Sequence, residues 1–193
     1  RVQQGAFVGY VIIAGALLGL LLVGERWLRL TRIQRSIDRQ LSDLDSTRLD
    51  NPLGRILNAY DENQHLDDLE TISRKLEVVV IEDVGEISKG LPVIKILATV
   101  APLTGLLGTV VGMIETFQSI TLFGTGDPKL MAGGISMALI PTVLGLLAAI
   151  PLLISHTILS AKAAVLAKIV GEQAAGVMAQ KAEQLAVSRA AGG

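Results

Sequence analysis

Thr109 and Thr142 are the side chains whose type and spacing most suggest chemistry, because each sits among small residues in a long apolar run. In "PLTGLLGTVVGMIETF", residues 102–117, Gly105, Thr109, Gly112 and Thr116 recur at i, i+4, i+7 and i+11, so on a helix they form one narrow stripe carrying hydroxyls. A second run repeats the device with Gly134, Ala138, Thr142, Gly145 and Ala149 at i, i+4, i+8, i+11 and i+15. Such stripes allow close helix packing, and they suit the lining of a shared conduit equally well. Gly108 adds to the small-residue content of the first run. Pro102, Pro141 and Pro151 each remove a backbone N–H, which lipid tolerates at packed kinks or where the backbone faces protein or water.

The missing acids are as informative as the stripes. No Asp, Glu or His occurs over 96–114 or 130–155, although a proton path through lipid ordinarily uses such a relay. A proton carried along these stripes would need a titrating carboxylate from another chain. Glu115 and His156 lie near the ends of their runs and read as interfacial groups. The cluster "HLDDLE", residues 65–70, reads as solvated acids near a helix start and not as a metal site. "GTGDPK" lacks the strand, helix start and Lys-Ser/Thr of a phosphate loop. His156 has no membrane acid to orient it, so neither a protease triad nor another enzyme is expected, and no cofactor beyond protons is implied.

The elements that must hold these residues are helical and membrane-spanning. Half of the 193 residues are apolar but only 3% are aromatic, the alphabet of packed membrane helices. A net charge of −1 gives no field for nucleic acid, and the absence of cysteine excludes disulfides and thiol chemistry. A span needs about 20 apolar residues, and three stretches qualify: 1–24, 96–123 and 131–160. The chain starts at Arg1, as a fragment or processed product would. Its first span lacks the basic start and A-x-A site of a cleaved signal, so it is read as retained. Arg26, Arg29, Arg32, Arg35 and Arg39 follow that span, while Lys129 alone marks the connection at 124–130. The positive-inside rule then places the N-terminus and the 124–130 loop outside, in the periplasm, with residues 25–95 and the C-terminal helix 161–193 in the cytoplasm.

The cytoplasmic insert is expected to fold. Leu30, Ile33, Ile37, Leu41 and Leu44 keep helical spacing, so the first helix runs on past the membrane. "DNPLG", residues 50–54, breaks it, and a helix is expected to resume with the acidic stretch "DENQHLDDLE" at its start. "KGLP", residues 89–92, marks a bend before the second span. The row Arg26, Arg29 and Arg32 is expected to meet anionic lipid headgroups.

Residues 101–151, "APLTGLLGTVVGMIETFQSITLFGTGDPKLMAGGISMALIPTVLGLLAAIP", resemble the core of the MotA/TolQ/ExbB proton-channel family, and ExbB most of all. The resemblance rests on "GLLGTVVGM" and on "GGIS-AL--T-LGL-AAIP" in that order, and the rest of the chain is compatible in topology. The start at Arg1 also suits TtpC-like members, which resemble ExbB with an added periplasmic part. The resemblance implies an all-α polytopic protein with three transmembrane helices extended into the cytoplasm, assembled as a homopentameric ring in the bacterial inner membrane. It also implies two single-span partners of the ExbD/TolR type, whose membrane Asp takes up the proton, and a TonB-like energy transducer. Thr109 and Thr142 match the pore threonines of the second and third helices. The small positions around them, Pro102, Gly105, Gly108, Gly112, Thr116, Gly134, Ala138, Gly145, Ala149 and Pro151, fall to the pore face and to helix packing. One departure stands out: where many family members read "GIAEAL", this chain reads "GISMAL", with Met137 in place of Glu. Pro141 directly before Thr142 is a second.

The sequence therefore supports an ExbB-like motor subunit for TonB-dependent uptake. A TolQ-like envelope-maintenance motor and a passive membrane scaffold are the alternatives. A motility stator fits less well, since such chains usually carry a fourth span and a larger charged cytoplasmic domain.

Overall fold

A computed structural model describes residues 3–42, 50–66, 68–124 and 128–191. These residues form five helices and no strand: α1 (Gln3–Ser42), α2 (Pro52–Asn63), α3 (Leu69–Ser88), α4 (Leu91–Phe123) and α5 (Pro128–Ala191). Long apolar stretches able to cross a membrane occur in α1, α4 and α5. Several expected features lie outside the described residues: Arg1, Leu44, Asp67 of the acidic cluster, the tip of the 124–130 loop at 125–127, and the two C-terminal glycines.

Local chemistry sets most of the helix ends. Asn51 is the N-cap of α2: its side chain accepts from the Gly54 N–H at 2.9 Å, and Pro52 follows at the first helical position, where a missing N–H costs nothing. Asp68 caps α3 through the N–H groups of Glu70 and Thr71. The bond from the Thr71 hydroxyl and that from the Glu70 N–H hold the Asp68 carboxyl below the usual carboxylate range. These caps correct the expected helix start. "DENQ" ends α2 instead of opening a new helix, because Asn-Pro is itself a start signal, and the next start is Asp68. Gly90 and Gly124 bound α4 with φ of 78° and 77°, left-handed values natural to glycine.

The chain forms two compact units. One comprises Arg1–Arg26 with Gly90–Ile158, the other Trp27–Lys89 with Leu159–Gly193. In the first, α4 and α5 pack antiparallel: Gly145 meets Ala101 and Pro102, Gly105 meets Pro141 and Thr142, Gly112 meets Ala138, and Gly134 meets Thr116. The N-terminal part of α1 runs parallel to α5, with Gly9 against Leu144 and Gly19 against Leu152. Larger apolar side chains point outward: Leu21, Leu103 and Leu147 are each more than 60% exposed, as side chains bathed in lipid tails would be. α4 continues through Pro102, and α5 through Pro141 and Pro151.

The second unit has an ordinary water-type core. Leu30, Ile37, Ile56, Ile72, Leu76, Ile87, Leu159, Leu166 and Val170 are buried in it. Two polar links tie its helices. Arg55 donates to Asp83 from Nε at 2.9 Å and from Nη2, joining α2 to α3. Asn51 Nδ2, besides capping α2 through its oxygen, donates to Gln40 Oε1 at 3.2 Å, and both residues are at most 1% exposed. Lys162 Nζ lies 5.4 Å from the centre of the Trp27 ring and donates to Thr31 Oγ1 at 3.0 Å.

Asn51→Ala removes the α2 cap and the amide bond to Gln40 together. It should cost about 1–2 kcal/mol, and a chain of this size loses about 2–4 °C of melting midpoint per kcal/mol. Melting followed through Trp27 fluorescence in detergent checks this, and an unchanged midpoint contradicts the assigned cap.

Candidate functional site

The two threonines meet where α4 and α5 come closest. A Cβ on Gly105 would stand 2.7 Å from the Pro141 carbonyl oxygen and 3.0 Å from Thr142 Cα, so only glycine permits this approach. Gly145 repeats the condition from the other helix, where a Cβ would meet the Ala101 carbonyl oxygen at 2.7 Å. With the backbones this near, the Thr109 and Thr142 hydroxyls contact each other directly. Both also reach the Gly105 carbonyl oxygen, Thr142 at 3.1 Å across the helix pair and Thr109 at 3.3 Å along its own helix.

Three oxygens thus form a closed triangle with only two hydroxyl protons among them. The hydrogen-bonding arrangement that satisfies both protons inside is a chain, in which one hydroxyl donates to the other and the second donates to Gly105. The Gly105 carbonyl already accepts the helical N–H of residue 109, so it does not require either hydroxyl. Rotation about Cβ–Oγ can therefore turn a proton outward at little cost. The pair is a switchable group: turned inward it offers lone pairs, turned outward it offers donors. Both threonines are half-buried, which leaves a side of the pair accessible.

The other expected positions divide between two surfaces. Gly112, Ala138, Gly134, Thr116, Gly145 and Pro102 lie on the α4/α5 contact with the threonines. Thr116 Oγ1 donates to the Gly112 carbonyl at 2.8 Å, and Ala138 and Ala149 are buried. Gly108 faces Pro141 and Val8, where α1 joins the pair. Pro151 belongs to neither: nine residues from Thr142, or two and a half turns, it lies on the opposite side of α5. There it borders an apolar groove of about 230 Å³ shared with Ile12, Ala16 and Leu20 of α1. Pro151 therefore lies on the side of α5 away from the threonine stripe, among the positions expected to serve helix packing. Met137 is 63% exposed. Glu115 and His156 are half-buried. No group of His, Cys, Asp or Glu that could hold a metal occurs among the described residues.

The sequence reading did not include the Gly105 carbonyl as the third member of the site. Its signal was present in the four-residue offset to Thr109, but the second approach, from Thr142, requires the helix pairing.

A bundle of apolar helices joined through small residues, three of them long and apolar enough to cross a bilayer, defines a polytopic membrane protein. Comparison with known proteins makes the class specific. Residues 48–171 match the MotA/TolQ/ExbB proton channel family, and the chain belongs to that family. It is 30% identical over 171 residues to the biopolymer transport protein ExbB-like 3 of Synechocystis sp., covering 79% of this chain and 80% of that one. It is 39% identical over 83 residues to the biopolymer transport protein ExbB of Helicobacter pylori, and 31% over 98 residues to the Tol-Pal system protein TolQ of Pseudomonas aeruginosa. Those two alignments cover 43% and 51% of this chain but only 57% and 42% of the relatives.

The closeness at Gly105 has a direct consequence. Gly105→Ala should loosen the α4/α5 pair and lower the melting midpoint, because its methyl would meet backbone that cannot move aside. Gly85 has open space around the same position, so Gly85→Ala should be neutral or stabilise by about 0.5–1 kcal/mol. Equal behaviour of the two variants would contradict the close approach.

Proposed function

We propose that this chain is an ExbB-like subunit of an inner-membrane proton channel and motor, which converts the proton gradient into mechanical work for TonB-dependent outer-membrane transport. The single observation that carries this reading is the switchable Thr109–Thr142 pair in helices that lack a membrane acid. Family membership and the ExbB and ExbB-like relatives support it.

In this reading five copies form a ring around two single-span partners of the ExbD/TolR type, with the N-terminus in the periplasm and the C-terminus in the cytoplasm. The accessible side of the threonine pair faces the pore and a carboxyl of the partner. When that carboxyl is ionised it needs donors, and the hydroxyls turn outward to it. When it is protonated it becomes a donor itself, and the hydroxyls turn inward and accept. The same two side chains thus serve both charge states of one partner group without titrating. Loss of the outward donors as the proton arrives releases the partner carboxyl to move on to the next subunit, which gives proton flow a mechanical direction. In this reading the relay works without an acid at Met137, where family members often carry Glu.

The similarity to TolQ supports a second reading, an envelope-maintenance motor of the Tol-Pal kind. The two readings share the proton site and differ in the partner, so co-purification with a TonB-like or a TolA-like transducer separates them. A passive scaffold differs from both in its response to mutation.

Thr109→Val and Thr142→Val keep shape and remove the hydroxyl. Each should lower partner-dependent proton flux into liposomes by about 10–100-fold, since a hydrogen bond to a charged group is worth about 1.5–3 kcal/mol. Thr109→Ser should retain most of the flux. The rings should still assemble on native electrophoresis. Flux within twofold of the parent in both Val variants would leave the threonines as packing groups and favour the scaffold.

A further inference from the structure

Arg26 stands apart from the arginines that follow it. It is 6% exposed, whereas Arg32, Arg35 and Arg39 are exposed, and its Nε has no hydrogen-bond partner. Among the described residues no carboxylate pairs with it: Arg29 takes Glu86, Arg55 takes Asp83 and Arg74 takes Glu70. Its own sequence neighbour Glu25 is exposed. A desolvated cation without an anion is one of the costliest arrangements a protein can hold.

The place where Arg26 lies makes the imbalance larger. Its guanidinium rests on Gly90: a Cβ there would fall 2.6 Å from Nε and 3.1 Å from Nη2, so the Nε–Nη2 edge of the fork is what faces this residue. Gly90 is the N-cap of α4, a helix of 33 residues, and no side chain caps it. Ile94 N–H bonds back to the Gly90 carbonyl at 3.3 Å. The N–H groups of Leu91 and Val93 come earlier and have no intrahelical acceptor, and Pro92 has no N–H to offer. A buried cation therefore sits against the positive end of a helix dipole, and each needs the same thing, an anion with several oxygens.

We infer that the Arg26 fork and the uncapped α4 N-terminus at Gly90 together bind the phosphodiester of an acidic phospholipid headgroup. The chemistry fits from both sides. The Nη groups at the tip of the fork, beyond the Nε that Gly90 covers, donate to phosphate oxygens, and the free N–H groups take a further one. Position selects a lipid as the source. Arg26 lies two residues past Gly24, where the uncharged part of α1 ends, and Gly90 precedes the apolar run of α4, so the site stands at the boundary where headgroup phosphates lie. Glycine is required here twice, for its left-handed φ and for the contact with the guanidinium. This inference rests on the chain spanning a membrane and is independent of the proton-channel reading.

Native mass spectrometry of the full chain in detergent tests it, with dioleoylphosphatidylglycerol, dioleoylphosphatidylcholine and inorganic phosphate as probes. The parent protein should retain phosphatidylglycerol in preference to phosphatidylcholine. Arg26→Gln should weaken phosphatidylglycerol binding about tenfold, the scale of a charge-assisted bidentate contact. Arg32→Gln, which removes an exposed arginine from the same helix, should leave it within twofold. Equal phosphatidylglycerol affinity in the parent and Arg26→Gln proteins overturns the site. Displacement of the lipid from the parent by millimolar inorganic phosphate overturns the lipid source and assigns the anion to solution. Should Arg26→Gln fail to accumulate, the chain carrying Arg32→Gln, Arg35→Gln and Arg39→Gln decides. A phosphatidylglycerol preference that survives the loss of those exposed charges supports the site, and its disappearance overturns it.

Discussion

The contact of Gly105 with the Pro141 carbonyl is the constraint on which the rest of the membrane unit depends. Helices in lipid gain nothing from the hydrophobic effect on meeting each other, so they associate through van der Waals fit and hydrogen bonds. Fit requires that nothing project from the shared face, and Gly105, Gly112, Gly134 and Gly145 supply such a face on both helices. Two backbones drawn this near can be bridged by side chains as short as threonine. Larger residues at the contact would hold the helices apart, and the hydroxyl triangle would dissolve into two separate i−4 backbone bonds. Packing and chemistry are therefore not competing explanations of the small stripes, because the first produces the second.

The same constraint explains why no acid is needed beside the threonines. A carboxylate placed at this contact would have to be desolvated between two helices with only hydroxyls to neutralise it, an arrangement of many kilocalories' cost. Neutral hydroxyls incur no such penalty and can still answer a charge brought from outside. Their bonds inside the site are to each other and to a carbonyl that is already satisfied, so giving them up for a stronger external partner is favourable. Glu115 and His156, the titratable groups within the apolar runs of α4 and α5, lie near the ends of those runs.

Much of this was legible in the sequence, for identifiable reasons. Apolar runs of 20 or more residues admit few structures other than a membrane helix, so the all-helical class and the three long apolar helices followed from hydropathy alone. The threonine stripes were legible because a period of 3.6 assigns residues to a face. What periodicity cannot say is which element covers that face. The meeting of Thr109 with Thr142 through Gly105 is a property of a pair of helices. The start of α2 was misread because Asn-Pro resembles a break when its cap is not recognised. The arginine row is the plainest case of information missing from sequence. Arg26, Arg29 and Arg32 read as one basic patch, yet the first is buried with no partner for its Nε among the described residues, the second is paired, and the third is exposed.

The two polar sites of the membrane unit follow one rule from opposite directions. In the proposed reading, Thr109 and Thr142 present neutral groups where charge comes and goes, so the site stays stable when empty of charge. At Arg26 it presents fixed positive charge where a constant anion is at hand in the membrane surface, so the site is completed by the bilayer itself. A mobile proton needs a partner that can be satisfied in two ways, and a lipid phosphate needs one satisfied in only one. Hydroxyl rotors meet the first requirement, since a rotation of about 120° between staggered positions exchanges donor for lone pair. A guanidinium meets the second, since it stays charged at every physiological pH and offers its donors in a fixed plane. On the proposed readings, the placement of threonine at the helix crossing and of arginine at the helix ends is what the two kinds of ligand would demand.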